Sequence, residues 1–245
     1  MTTSPVLAID AGNTRIKWGV FDGSKWNPCG ALPTAEASRL AEKWNSIEEG
    51  VAAIASNVAG PEVQRQVQLA CEARGWPLAV IAAQPAQLGV TNGYRDHRQL
   101  GSDRWAGLIA AHHAHRGNKI VVNAGTALTV DALGDDGRFE GGLIVPGPKL
   151  MRHSLDRGTA GLRLTDGDFE SLPKSTPDAI TTGAIQACVG AIERMKQAMT
   201  ARGIAPALVV ISGGAADEIA PHLPQPAVLE ENLVLEGLRL IASAA

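Results

Sequence analysis

Three short stretches of this chain carry residue types suited to phosphate chemistry. Near the start, Asp10-Ala11-Gly12-Asn13-Thr14 interrupts two apolar runs, and Lys17 follows on the second. Gly12 has no Cβ, so it can take a positive φ and let a ligand approach the backbone. The amides of such a turn point into open space, where an anion can accept from them. Asn13 and Thr14 add side-chain donors, and the Lys17 ammonium suits a phosphate. Asp10 cannot bind phosphate directly; a carboxylate in this place is best explained by a divalent cation between the two, usually through water for Mg²⁺. A second turn, Gly125-Thr126, occupies the equivalent place later in the chain, so two turns could grip the two ends of a polyphosphate. Third, Asp103 falls in the first turn of an expected helix, beside Arg104. The helix dipole and the guanidinium both favour an ionised carboxylate, which is the state a general base needs. The plainer readings are an Asx-type hairpin for the first stretch and a helix-stabilising Asp for the last.

These residues need elements to hold them. Strands are expected at Val6–Ala11, Arg15–Phe21 and Lys25–Ala31, with Asp22-Gly23 as a tight-turn signal. A helix over about Ala35–Ile47 follows, with Thr34 as its N-cap. Then come a strand Val51–Ser56, a helix from Pro61 to about Arg74, and a strand Leu78–Ala82. The helix carrying Asp103 is expected from near Ser102 to just before Gly117. At Lys119 the plan restarts: three strands with Asp136-Gly137 at the second turn, helices near Lys149–Arg157 and Pro177–Ala201, a strand Leu208–Ser212, a short helix Ala215–Ala220, and a closing helix Glu231–Ala242. Ile9–Thr14 (IDAGNT) can be laid over Val122–Ala127 (VNAGTA). The repeat predicts an α/β chain of two duplicated domains, 1–117 and 118–245, with a nucleotide cleft between them. Gly141–Gly147 and Ile211–Ala216 are further glycine-rich strand ends, and the second could let the backbone approach an adenosine.

Other chemistries are not favoured. There is no G-x-x-x-x-G-K-[ST], no G-x-G-x-x-G and no G-x-S-x-G. His112, His113 and His115 end a helix with no Cys or acidic partner nearby in sequence, whereas zinc sites need three or four ligands. The formal net charge of the 245 residues is −3, so nothing global points to nucleic acid or an anionic membrane as partner. No apolar run approaches a membrane span, no signal segment is evident, and Cys29, Cys71 and Cys188 fit reduced thiols in a cytoplasmic protein.

The stretches DAGNTRIKWGVF, NGYRDHRQLGSDRWAG, NAGTALTVDAL, GGLIVPGPKLMRHSL and ISGGAA occur in this order. Together they resemble the type III pantothenate kinases, of the acetate kinase, sugar kinase and actin superfold, whose halves are actin-like or ribonuclease H-like. The resemblance implies ATP-dependent phosphorylation of pantothenate at its primary hydroxyl, the first step of coenzyme A synthesis. It implies that Asp10, Gly12, Asn13, Thr14 and Lys17 hold the ATP phosphates, with Asp10 near Mg²⁺, and that Thr126 contacts ATP from the second turn. Asp103 would be the base. Tyr94, Gly101, Ser102, Asp103 and Arg104 would line the pantothenate pocket. Thr176 matches a threonine contributed across the interface of a homodimer. Asn123 stands where the family usually has an Asp that helps bind a monovalent cation, K⁺ or NH₄⁺; a neutral amide is expected to weaken that site. His97 replaces a usual proline, which affects loop stiffness more than chemistry. Two other functions remain compatible with these residues: a nucleotide-binding regulatory protein with weak catalysis, and a kinase of another small alcohol such as a sugar.

Overall fold

The computed structural model describes residues 5–48, 50–159, 162 and 166–244. The first unit begins with strands β1 (Val6–Ala11), β2 (Arg15–Phe21) and β3 (Trp26–Pro33), then 3₁₀ turns over Thr34–Arg39 and a short helix α1 (Leu40–Lys43). It continues with β4 (Ala52–Asn57), α2 (Pro61–Glu72), β5 (Leu78–Val80), a small hairpin β6 (Ala86–Gln87) and β7 (Val90–Asn92), and α3 (Ser102–Ala114). The second unit holds β8 (Lys119–Ala124), β9 (Ala127–Leu133), β10 (Arg138–Pro146), α4 (Pro148–Gly158), α5 (Thr176–Ala201), β11 (Leu208–Ser212), α6 (Ala216–Ile219) and β12 (Ala227–Leu229). The closing helix is α7 (Leu233–Ser243).

Both units repeat one topology. In the first the order across the sheet is β3-β2-β1-β4-β5, and in the second it is β10-β9-β8-β11-β12. Each is an antiparallel meander of three strands whose first member also pairs in parallel with the fourth. The internal duplication is therefore real at the level of strand pairing.

Alternation decides what each face does. In β1, Leu7, Ile9 and Ala11 join Ile16, Trp18 and Val20 of β2 in a core that also buries Trp44 and Trp76. The other parity, Ala8 on β1 and Ile54 on β4, is also buried, and α7 packs on these two strands. Asp10 shares this second parity. In the second unit, Ile120, Val122, Leu128, Val130 and Ile211 face a core completed by Ile185, Cys188 and Ile192 of α5. Burying each large aliphatic side chain contributes about 1.5–3 kcal/mol.

The compact units are Met1–His113 with Leu233–Ala245, and Ala114–Asn232. The closing helix thus packs with the first unit rather than with the half in which sequence order places it. The cause is a close crossing. A Cβ on Gly237 would lie 1.9 Å from the Ala106 carbonyl oxygen of α3, and Leu233 packs against Gly107. Helix α3 is buried almost all round, with Trp105, Ala106, Leu108, Ile109 and Ala111 fully covered. Such a helix is a stiff mount for whatever stands at its start.

Most expected elements form within a few residues of their predicted bounds. The helix expected over Ala35–Ile47 is instead 3₁₀ turns and one short α-helical turn, and β6, β7 and β12 had no sequence prediction. Cys71 and Cys188 are buried free thiols; the side chain of Cys29 lies outside the described residues. Among the described residues no helix is long and apolar enough to cross a membrane.

The crossing makes a direct prediction. Gly237→Ala should lower stability in urea denaturation by about 1–3 kcal/mol through overpacking. Gly190→Ala, on α5 with open space around its Cα, should raise stability by about 0.5–1 kcal/mol through helix propensity.

Candidate active site

The β1–β2 turn is set by a register that aligns Asp10 with Lys17 and Ala11 with Ile16. The Gly12 amide donates to the Arg15 carbonyl at 3.1 Å, closing the turn. Gly12 is not among the residues at positive φ, contrary to expectation. Close approach favours glycine here, because a Cβ would sit a tight 3.2 Å from the Arg15 oxygen. Asn13, Thr14 and Arg15 are exposed at the tip, while Lys17 is half-buried.

Thr34 is not a helix cap; Thr34–Arg39 has no side-chain cap at all. Its hydroxyl donates to the Gly12 carbonyl at 2.6 Å, and its amide donates to the Thr14 carbonyl at 3.0 Å. One residue thereby ties down two carbonyls of the turn. A threonine after a proline that ends a strand was the available signal, and sequence order alone read it as a cap.

The second unit copies this arrangement. Its third strand also ends on a proline, Pro146, and the next amide, Gly147, donates to the Thr126 carbonyl at 2.8 Å. A Cβ on Gly147 would overlap the Gly125 oxygen, so only glycine fits. The Gly125 amide bonds the Ala127 carbonyl at 3.0 Å. Here Ala124 faces Leu128, so three residues turn the chain where the first unit uses four. Thr126 is exposed. Gly213, with φ 107°, lies so close to Ala124 that a Cβ would be 2.4 Å from its oxygen. Gly213 of ISGGAA thus serves backbone packing in this unit, while Gly214 has open space around its Cα.

Strand register also compares the two polar positions. Asp10 is flanked by Lys17 on β2 and Ser56 on β4. Asn123 is flanked by Thr129 on β9 and Ser212 on β11. The first trio is charged and the second is neutral. The Thr129 hydroxyl is buried without a hydrogen-bond partner.

Asp103 stands in the first turn of α3, where its Oδ1 accepts from the Arg104 amide at 2.8 Å. The carboxylate folds back over Gly101; a Cβ there would be 2.5 Å from Oδ1. Ser102 Oγ and Ser56 Oγ are 2.8 Å apart in a buried hydrogen bond. Arg104 is buried, donates from Nη1 to the Tyr94 hydroxyl at 3.0 Å, and stacks over the Tyr94 ring at 5.6 Å. Tyr94, Gly101, Ser102, Asp103 and Arg104 are thus brought together in the first unit. Thr176 is elsewhere. It is the exposed first residue of α5 and lines a cavity of about 790 Å³ with Met151, Leu155, Lys174 and Ile180. Among the histidines, His113 Nε2 meets the Leu88 carbonyl at 3.0 Å and His115 Nε2 meets Glu230 at 2.9 Å. These contacts tie loops to the helix end.

Electrostatics single out two carboxyls. Burial pushes Asp10 up from 3.8 to about 7; the nearby Asp103 charge adds to the rise and Lys17 opposes it. Burial also raises Asp103, against the amide and charge of Arg104. The sequence expectation that dipole and guanidinium hold Asp103 low is therefore corrected: desolvation outweighs both. Two crowded carboxyls with one facing lysine form an oxygen-rich, under-neutralised set, which fits a hard divalent cation such as Mg²⁺. The side chains of Asn123, Thr129 and Ser212 offer only neutral oxygens.

The chain is similar to known proteins. The family model described as type III pantothenate kinase matches residues 6–198. The type III pantothenate kinase of Nitrosospira multiformis is 42% identical over 97% of this chain and 90% of its own length. That of Dechloromonas aromatica is 42% identical over 97% of this chain and 98% of its own. Among solved structures, the ethanolamine utilization protein EutJ of Carboxydothermus hydrogenoformans superposes with TM-score 0.57 over 98% of this chain and 90% of its own, at 12% identity, a likeness of fold alone.

The raised Asp10 carboxyl has a measurable consequence. Between about pH 4 and 7 the folded state binds a proton that the unfolded chain has lost, so this group's stabilisation is full below pH 4 and disappears as pH rises through 7. In urea denaturation at pH 8, Asp10→Asn should therefore be more stable than wild type by an amount of order 2 kcal/mol, and show no such gain at pH 4. Equal gains at both pH values would contradict the assignment. With register, turn, paired carboxyls and relatives in agreement, the chain belongs to the type III pantothenate kinase family.

Proposed function

We propose that this chain catalyses ATP-dependent phosphorylation of pantothenate to 4'-phosphopantothenate, the first step of coenzyme A biosynthesis. The observation that carries the proposal is the family match over residues 6–198, which takes in both the exposed-tip turn after Asp10 and the helix start at Asp103. Its family membership supports the choice of substrate.

Each residue has a task. The Gly12–Thr14 turn, braced by Thr34, offers backbone and side-chain donors to the ATP phosphates, and Lys17 adds charge. Asp10, once ionised, would hold Mg²⁺ through water, and the ion would supply charge neutralisation at the phosphates. Thr126 offers a second set of donors on its own turn. Asp103 orients the pantothenate hydroxyl and accepts its proton at a carboxylate oxygen. A pKa raised by burial brings this base closer to working pH, where proton transfer is most effective. Arg104 and Tyr94, locked to each other, shape the pocket with Gly101 and Ser102. Phosphoryl transfer asks for such positioning and charge placement more than for covalent help.

We further read the protein as a cytoplasmic homodimer in which Thr176 completes the partner's pocket. The exposed Leu155 and Leu172 near that residue support an apolar interface. The neutral Asn123 site supports a weak dependence on K⁺ or NH₄⁺. One feature favours a second reading, a regulatory nucleotide-binding protein: that same loss of charge at Asn123.

A coupled assay of ADP release separates these readings. Release should require pantothenate and not occur with hexoses; release without pantothenate, or with a hexose instead, would reject the assignment. Asp103→Asn should keep ATP affinity and lower kcat by about 100- to 10,000-fold. A fully active variant would remove Asp103 as the base.

A further inference from the structure

Asp10 and Asp103 lie on different elements, 93 positions apart in number, and the proposed chemistry needs them in fixed relation. One buried contact joins their mounts. Ser56 is in parallel register with Asp10 on β4. It is fully buried, and its hydroxyl meets that of Ser102, the residue before Asp103, at 2.8 Å. A second contact runs alongside. The Val58 amide, just past the end of β4, donates to the Ala11 carbonyl at 3.0 Å. Thus two successive residues of β1, Asp10 and Ala11, are joined to the end of β4, and from there the hydroxyl pair reaches the first residue of α3.

We propose that Ser56 is a positioning residue for Asp103, its buried hydroxyl fixing the start of α3 against the strand that flanks Asp10. Stability alone does not explain the pair. A buried hydrogen bond between two hydroxyls contributes only about 1 kcal/mol net, and replacing both partners by apolar groups can be nearly neutral. What the pair adds is direction. Apolar contacts between helix and strand tolerate sliding, whereas two hydroxyls at hydrogen-bond distance do not. A displacement of about 1 Å at a reacting group can cost about 100-fold in rate. Ser56 touches neither phosphate nor alcohol in this scheme and acts through Ser102.

The inference rests on the kinase reading for its effect on rate, but not for its effect on structure. The Arg104 amide, bonded to Asp103 Oδ1, reports the carboxylate's place by NMR without any turnover. In Ser56→Ala that amide should shift and lose hydrogen-exchange protection, and kcat should fall roughly 10- to 100-fold with KM for ATP within about twofold. Ser102→Ala should do the same, and the double variant should be no worse than either single one. Ser56→Cys, close in volume, guards against misfolding and should fall between Ala and wild type. An unmoved Arg104 amide in Ser56→Ala and Ser56→Cys would overturn the proposal, as would additive losses in the double variant. If wild type shows no pantothenate-dependent ADP release, the kinase reading fails while the amide still decides whether Ser56 positions Asp103.

Discussion

The constraint on which the rest depends is a half-buried carboxylate near the end of a central strand. Asp10 ends the run Leu7, Ala8 and Ile9, all fully buried, and has one lysine opposite and another carboxyl nearby. An ionised acid in such a place is costly unless positive charge arrives. Positive charge brought near Asp10 would therefore favour its ionised form. The turn that follows has its carbonyls tied by Thr34, leaving its tip donors exposed.

Duplication supplied the frame, and divergence supplied the chemistry. Both units keep the meander, the parallel neighbour with a serine in register, and the proline that ends the third strand. They differ where charge matters. Asp10 and Lys17 in one become Asn123 and Thr129 in the other, and the tether is a threonine hydroxyl and amide in one but an amide alone in the other. The copy with the charged trio also receives α3 against its fourth strand. A turn can be kept by backbone bonds alone, while the charges around it change.

Much of this was legible in the amino-acid sequence. Alternating apolar residues around Asp-Ala-Gly-Asn-Thr and Asn-Ala-Gly-Thr announce two strand–turn–strand units, since period and turn chemistry are local signals. The motif around Asp103 likewise announces a helix start. What was missed is long-range. Thr34 bonds a carbonyl 22 positions away and Ser56 a hydroxyl 46 positions away, and no spacing rule reveals either. The Asp103 pKa was misjudged for the same reason: dipole and neighbour can be read in the chain, but burial cannot. At Gly12 the positive φ that the sequence allows is not used, and the closeness of the Arg15 carbonyl is invisible until the strands pair.

The return of α7 to the first unit has a consequence for how the protein is made. Its eleven residues are translated after the entire second unit, yet they cover Ala106 and Gly107 of the helix bearing Asp103. Until they leave the ribosome, that flank of α3 stays bare. The second unit can close on its own as it emerges, whereas the first, begun earlier, must wait for the tail. Premature termination within the last helix would thus injure the segment made first.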